Sequence, residues 1–216
     1  MKNKQVIRNI QETLLVTVIA LLMLTGCRNG TPQEQPENRI QLMEDNQFTV
    51  RGFHVDLRIQ VMTMDALKAL ADELAAFGMN TLVMEYEASY PYQNNATISN
   101  ELAYTREEVR EFVDYCEALG IDVIPLQQCF GHVEYILRHD RYSDLKEDRK
   151  ERSQLCPLKE EGDSLLFTDL FADMAAMHRS DYIHIGGDET YLLGHCPACS
   201  LKAATEGKSK LFVDYM

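Results

Sequence analysis

Tyr182-Ile183-His184-Ile185-Gly186-Gly187-Asp188-Glu189-Thr190 reads as a short strand that runs into a turn. The apolar stretch ends at two glycines, and two adjacent carboxylates follow. Such a turn puts both acids at the rim of a sheet, where parallel sheets and barrels carry their working groups. Adjacent carboxylates repel, so a fold that puts both in one pocket has a use for them. The plainer alternative is a surface Asp-Glu pair behind a core strand.

Upstream of this stretch the same unit repeats. Arg51 to Leu57 alternates Phe53, Val55 and Leu57 with smaller or polar residues, a strand pattern. Met64 to Phe77 has helical spacing through Leu67, Leu70, Ala71, Leu74 and Phe77, and Gly78 fits a C-terminal cap. Thr81 to Met84 is a short buried strand. Thr105 with Glu108 three residues on is a capping-box start for a helix that Gly120 stops at about Leu119. Ile121 to Leu126 is the third strand. A polar segment, 130–164, holds short helical patches, Leu165 to Met177 is the third main helix, and Tyr182 to Ile185 is the fourth strand.

Helix-to-strand connections are short, and strand-to-helix connections are long and polar. That asymmetry predicts an α/β fold of the (β/α)8 TIM-barrel type, with working loops after the strand ends. Four βα units are half of such a barrel. The last residues, Leu211 to Met216, are apolar-periodic with no stop signal, so the expectation is a truncated chain or the N-terminal part of a larger one. A half-barrel would leave strand edges and one apolar face uncovered. A flavodoxin-like sheet is the alternative.

Residues 1–27 read as an address. Lys2, Lys4 and Arg8 precede the apolar run Thr13 to Thr25, which is short for a membrane span. Leu24-Thr25-Gly26-Cys27 resembles the lipobox of bacterial lipoproteins. That resemblance implies cleavage before Cys27, a lipid on its sulfur, and a place in the bacterial cell envelope as an exported, lipid-anchored protein. An ordinary signal peptide or an uncleaved anchor are the alternatives. Residues 28–47, rich in Asn, Gln, Glu and Pro, read as a flexible tether, and residues 48–216 as one domain.

The 216 residues carry 21 basic and 34 acidic side chains, a net charge of −13. Cleavage before Cys27 leaves 18 basic and 33 acidic, or −15. A surface of that sign argues against nucleic acid and against charge-driven binding to anionic lipid, and suits a neutral substrate.

Polar groups gather at all four strand ends: His54, Asp56 and Arg58; Glu85 and Glu87; Gln127, Gln128, His132 and Glu134; Asp188 and Glu189. Their convergence says more than any one of them. Singly, His54 reads equally as a satisfied core histidine and Glu134 as an exposed helix residue.

The sequence resembles glycoside hydrolase family 20, the β-N-acetylhexosaminidases. His184-Ile185-Gly186-Gly187-Asp188-Glu189 matches the family's H-x-G-G-D-E signature at the fourth strand end. Gly52-Phe53-His54-Val55-Asp56-Leu57-Arg58, Asn80 to Glu85, and Gly131-His132 extend the resemblance over roughly residues 50–216. It implies a barrel enzyme with no cofactor, acting on terminal N-acetylhexosamine (GlcNAc or GalNAc) of a glycan or glycoconjugate. The implied mechanism is retaining and substrate-assisted: the 2-acetamido oxygen attacks the anomeric carbon and forms an oxazolinium ion. By motif position Asp188 orients the acetamido N–H in its ionised form. Glu189 protonates the leaving oxygen and then activates water. Arg58 resembles the arginine that holds sugar hydroxyls, although here it lies two residues after Asp56 where many members place it three after. His132 is implied to relay to Glu189, assisted by Glu85 or Glu87. The tryptophans that stack the sugar in this family have no counterpart, since the chain has no Trp.

Cys116 and Cys129 lie in apolar patterns and read as buried thiols. His195-Cys196-Pro197-Ala198-Cys199 carries a C-x2-C pair, which can be half of a zinc site. No second pair stands at standard spacing. Cys196 and Cys199 are therefore weak metal candidates, with Cys156 or His195 to complete the set and a disulfide or free thiols as the alternatives.

Three readings follow. The first is a lipid-anchored β-N-acetylhexosaminidase. The second is a catalytically inactive truncated remnant, or a surface glycan-binding lipoprotein. The third is a metal-dependent hydrolase using His54, Asp56, His132 and Glu134, which would leave the Gly-Gly-Asp-Glu turn idle.

Overall fold

A computed structural model describes residues 48–216. The expected signal peptide, Cys27 and the tether 28–47 lie outside the described residues.

The core of the fold is a three-stranded parallel sheet in the order β1-β2-β3, formed by Gly52–Asp56 (β1), Thr81–Glu85 (β2) and Asp122–Leu126 (β3). Between them run two helices, Met64–Ala76 (α1) and Arg106–Ala118 (α2). Parallel neighbours need such crossovers, because a tight hairpin can only reverse the chain. These three strands and both helices fall within two residues of the sequence reading.

Helix α1 begins at Thr63, whose side chain accepts a hydrogen bond from the Ala66 N–H. It buries Leu67, Ala71 and Leu74, spaced for one helical face. Burial of each leucine contributes about 1.5–3 kcal/mol, so Leu67→Ala is the change that would loosen the helix most directly. Helix α2 has the expected capping box: Thr105 accepts from the Glu108 N–H while the Glu108 carboxylate takes the Thr105 N–H. It buries Val109, Phe112, Val113 and Cys116. Arg106, at its first turn, pairs with Asp173 at 2.6 Å and so ties α2 to the last long helix before the Asp-Glu turn.

The segment after β3 holds a helical turn, Glu134–Leu137 (α3), and a 3-10 turn, Asp140–Leu145. It then folds back through antiparallel bridges between Gly131 and Gln154 and between Lys146 and Leu155. Helix α4 spans Glu160–Met177 and starts five residues before the expected Leu165. Residues 160–164 are polar and carry no apolar periodicity, which hid the first turn. Two further helices, Pro197–Glu206 (α5) and Lys208–Tyr215 (α6), follow the Asp-Glu turn.

The expected fourth strand is corrected. Tyr182 to Ile185 lies parallel to β3 but is joined to it by one bridge, Leu126 to His184. His184 N–H donates to Pro125 O at 3.0 Å, Gln127 N–H to His184 O at 2.9 Å and Cys129 N–H to Ile185 O at 3.2 Å. The side chains do not make it a core strand: Tyr182 is 68% exposed and Ile185 40% exposed. Among the described residues the segment is paired along a single edge and poorly buried, without a second ladder to hold it flat. At the opposite edge β1 pairs with β2 alone among the described residues, and Phe53 stays 43% exposed.

Register sets up the site. Asp56 pairs with Glu85, Glu85 with Leu126, and Leu126 with His184. The four chain segments therefore end on one line, and the residues just beyond each emerge at the same edge of the sheet.

Candidate active site

The two carboxylates meet at one atom. His132 Nε2 lies 3.2 Å from Asp188 Oδ2 and 3.2 Å from Glu189 Oε2. Consecutive residues on a strand would point apart. They converge here because the strand has ended: Gly186 and Gly187 have φ of 69° and 96°, and Glu189 itself has φ of 50°. The two acid side chains are 62% and 53% exposed, so the pair opens toward solvent.

His132 is fixed from its other side. Arg58 Nη1 lies 2.8 Å from His132 Nδ1. A guanidinium can only donate, so Nδ1 must be the accepting nitrogen and the ring proton sits on Nε2, aimed at both carboxylates. Arg58 is held in turn by Asp56, with its Nη2 2.6 Å and its Nε 3.2 Å from Oδ2. The Arg58 backbone N–H also donates to Asp56 Oδ1 at 2.8 Å. Burial alone would raise the Asp56 carboxyl, but the Arg58 hydrogen bonds and charge pull it below the usual range. The Arg58 guanidinium is correspondingly locked in its charged form.

Glu85 and Glu87 divide differently from expectation. Neither touches His132 directly. Glu85, almost fully buried, takes His54 Nε2 at 3.0 Å and the Gln128 side-chain N–H at 2.8 Å. Glu87 lies 3.6 Å from Arg58 Nε and accepts no hydrogen bond at its buried Oε1. Burial pushes its carboxyl up to about 8, against the pull of Arg58 and with the repulsion of Glu85 and Asp56. The assistance to His132 thus runs through Arg58. Arg58, expected as a sugar-hydroxyl holder, forms the bridge between the first strand end and the third.

Beneath this layer a polar network fixes the third strand end. Tyr92 donates to Gln127 Oε1 at 2.8 Å, and the Gln127 amide reaches Gln128 O at 2.9 Å and the Tyr135 hydroxyl. Tyr92 and Tyr135 were not legible as site residues, because a tyrosine in a polar loop carries no pattern of its own. The close approach of two loops depends on Gly131: a Cβ there would strike the backbone carbonyl of Asp188. At Gly186 a Cβ would strike the Gln128 side chain, in a backbone conformation that already favours glycine.

The three non-glycine residues with positive φ among the described residues are Glu87, His132 and Glu189, at 48°, 53° and 50°. All three belong to this site. The left-handed conformation costs roughly 1–2 kcal/mol for each. Strain of this kind persists where the surroundings over-determine it, and it collects at sites where side-chain direction matters.

The metal-hydrolase arrangement does not form. His54 faces Glu85, His132 faces Arg58 and the acid pair, and Glu134 is exposed at the start of α3. Among the described residues the group placed to grip a metal is Glu147, Cys156, Cys196 and Cys199, away from those four. His195 instead lies 4.0 Å from Asp148. Cys116 and Cys129 are buried free thiols, as their apolar settings implied.

The chain is similar to known proteins in sequence and in fold. The catalytic domain of glycosyl hydrolase family 20 matches residues 48–213. Hexosaminidase D of Bos taurus is 29% identical over 170 residues, covering 77% of this chain and 49% of that protein. Hexosaminidase D of Homo sapiens is 30% identical over 174 residues, covering 78% of this chain and 35% of that protein. The chain thus spans half or less of the length of these relatives. Among solved structures, Flavobacterium johnsoniae chitobiase superposes with a TM-score of 0.66 at 23% identity, over 78% of this chain and 29% of that one. The β-N-acetylhexosaminidase of Bacteroides fragilis gives 0.61 at 23% identity, over 77% and 38%. The strand-end cluster lies wholly inside the matched segment, and by that match the chain belongs to glycosyl hydrolase family 20.

Proposed function

We propose that this chain supplies the catalytic pair of a β-N-acetylhexosaminidase, which removes terminal non-reducing N-acetylhexosamine from glycans with retention of configuration. In this reading the chain contributes the first four βα units of an eight-fold barrel. The observation that carries it is the convergence of Asp188 and Glu189 on His132 Nε2 at equal distances.

The chemistry divides between the two acids. Asp188 accepts the acetamido N–H of the sugar and offsets the positive charge that develops as the acetamido oxygen attacks C1. Glu189 gives its proton to the departing glycosidic oxygen as the C1–O bond breaks, and later takes a proton from the water that opens the oxazolinium ring. His132 donates Nε2–H toward both and holds them at a fixed spacing. Arg58 and Asp56 hold His132.

Glu189→Gln should lower hydrolysis of an aryl N-acetyl-β-glucosaminide by about 10²–10⁴-fold, the usual weight of a general acid-base. The loss should shrink for aryl groups that leave without protonation. Asp188→Asn should lower turnover for all leaving groups alike. Unchanged rates in both variants would overturn the reading.

The lipobox supports a place for the protein at a membrane surface, tethered through Cys27 and residues 28–47. The acidic surface of the domain then faces neutral glycans rather than anionic lipid.

A further inference from the structure

We infer that Glu147, Cys156, Cys196 and Cys199 form a structural zinc site that clamps the loop carrying His132 to the segment that follows Asp188 and Glu189. The juxtaposition is specific. Cys156 Sγ lies 3.8 Å from Cys196 Sγ and 3.6 Å from Cys199 Sγ. Two sulfurs on one tetrahedral zinc, each about 2.3 Å from the metal, stand about 3.8 Å apart. A disulfide needs about 2.0 Å and would leave one of the three sulfurs unused.

The fourth ligand is one oxygen of a buried carboxylate. Glu147 is 3% exposed. Its Oε1 accepts the Cys196 N–H at 2.9 Å, while its Oε2 is buried without a hydrogen-bond partner. A ligand atom from each of the four residues lies within 4.8 Å of the others. A buried carboxylate oxygen aimed among three thiols is costly unless a cation takes it up.

Local structure arranges the donors in advance. Glu147 N–H donates to Gln154 O at 3.2 Å and Cys156 N–H to Leu145 O at 2.8 Å, a small antiparallel clasp that presents Glu147 and Cys156 together. Cys196 is the N-cap of α5, and the Cys199 N–H donates to its sulfur at 3.3 Å. The helix start and the Cys199 N–H both direct positive partial charge at the Cys196 sulfur, which tempers the negative charge that three sulfurs and one carboxylate would place around a divalent ion. Binding releases the thiol protons to solvent as the Zn–S bonds form.

The consequence falls on the catalytic pair. The same two chain segments also meet where the Leu192 N–H donates to Gln154 Oε1 at 2.8 Å and where Gly131 abuts Asp188. Zinc would fix that contact through residues other than His132, Asp188 and Glu189.

The test is the metal content of the full chain, purified under reducing conditions after growth with added zinc. About one zinc per chain is expected. Cys199→Ser and Cys196→Ser should each remove most of it, and Cys116→Ala, outside the cluster, should leave it intact. Cobalt loaded into reduced, metal-stripped protein should give thiolate-to-cobalt charge-transfer absorption and tetrahedral d–d bands, altered by Glu147→Gln. Protein without stoichiometric zinc and without the cobalt bands overturns the proposal. So does a mass showing two of these cysteines joined as a disulfide. None of these readouts uses sugar hydrolysis, so they stand or fall separately from the assignment of Asp188 and Glu189.

Discussion

Arg58 Nη1 and His132 Nδ1 stand 2.8 Å apart, 74 residues apart in the chain, and this contact decides which ring nitrogen of His132 faces the acid pair. With the guanidinium on Nδ1, the Nε2 proton serves both Asp188 and Glu189. Arg58→Ala frees the ring to flip or change tautomer and leaves Asp56 unpaired. Turnover should fall on the order of 100-fold, the usual penalty for a misplaced catalytic group. Arg58→Lys should recover little, because one ammonium cannot hold Asp56 and His132 with the same fork. Steady-state kinetics on an aryl N-acetyl-β-glucosaminide would show it.

Gly131→Ala places a methyl group against the Asp188 carbonyl. The backbone there cannot yield without moving the acid pair, so a loss of about 1–3 kcal/mol is expected. Thermal and urea unfolding measure the stability loss, and a fall in turnover below that of a surface Gly120→Ala control separates displacement of the pair from general damage.

Glu87 has its carboxyl raised by burial from an ordinary 4.5 to about 8. Over that interval the folded protein keeps a proton that the unfolded chain has released. Stability should therefore fall as pH rises from about 4.5 toward 8, with a limiting slope from this group of about 1.4 kcal/mol per pH unit. Glu87→Gln removes that contribution. The difference in unfolding free energy between wild type and variant, followed across pH, should shrink in slope above pH 8. Parallel curves throughout would refute the assignment.

Thr105→Ala removes one half of the capping box at α2 and should cost about 1 kcal/mol. Thr105→Ser should restore most of it, because the hydroxyl that accepts the Glu108 N–H returns. Urea denaturation with an unchanged m-value is the measurement.

Cys27→Ser should abolish incorporation of a labelled fatty acid and move the protein out of the membrane fraction. Unchanged fractionation of the variant would count against a lipid tether at this residue.

Much of the fold was legible because its signals are local. The Thr105–Glu108 box, the apolar stripe of α1 and the glycines after α1 and α2 mark their elements within a few residues. The segment Tyr182 to Ile185 is less legible. Its apolar residues have the composition of a core strand, but a strand depends on what lies on both sides, and Tyr182 and Ile185 are largely exposed. The early start of α4 was missed because its first turn has no apolar face.

Order along the chain places the candidate site residues at the strand ends. Gly186-Gly187-Asp188-Glu189 identifies a turn with two acids from composition and order alone, and the four strand-end clusters are visible as polar groups that follow apolar runs. How those residues pair is set by register and packing: parallel pairing puts Asp56, Glu85, Leu126 and His184 on one line. Arg58, expected to hold sugar hydroxyls, pairs with Asp56 and His132. Glu85 went to His54, and a buried glutamate at 147 joined three cysteines from two distant segments. Spacing along the chain fixes which edge a side chain reaches. The partner it finds there depends on left-handed turns, on burial and on the approach of loops that are far apart in sequence.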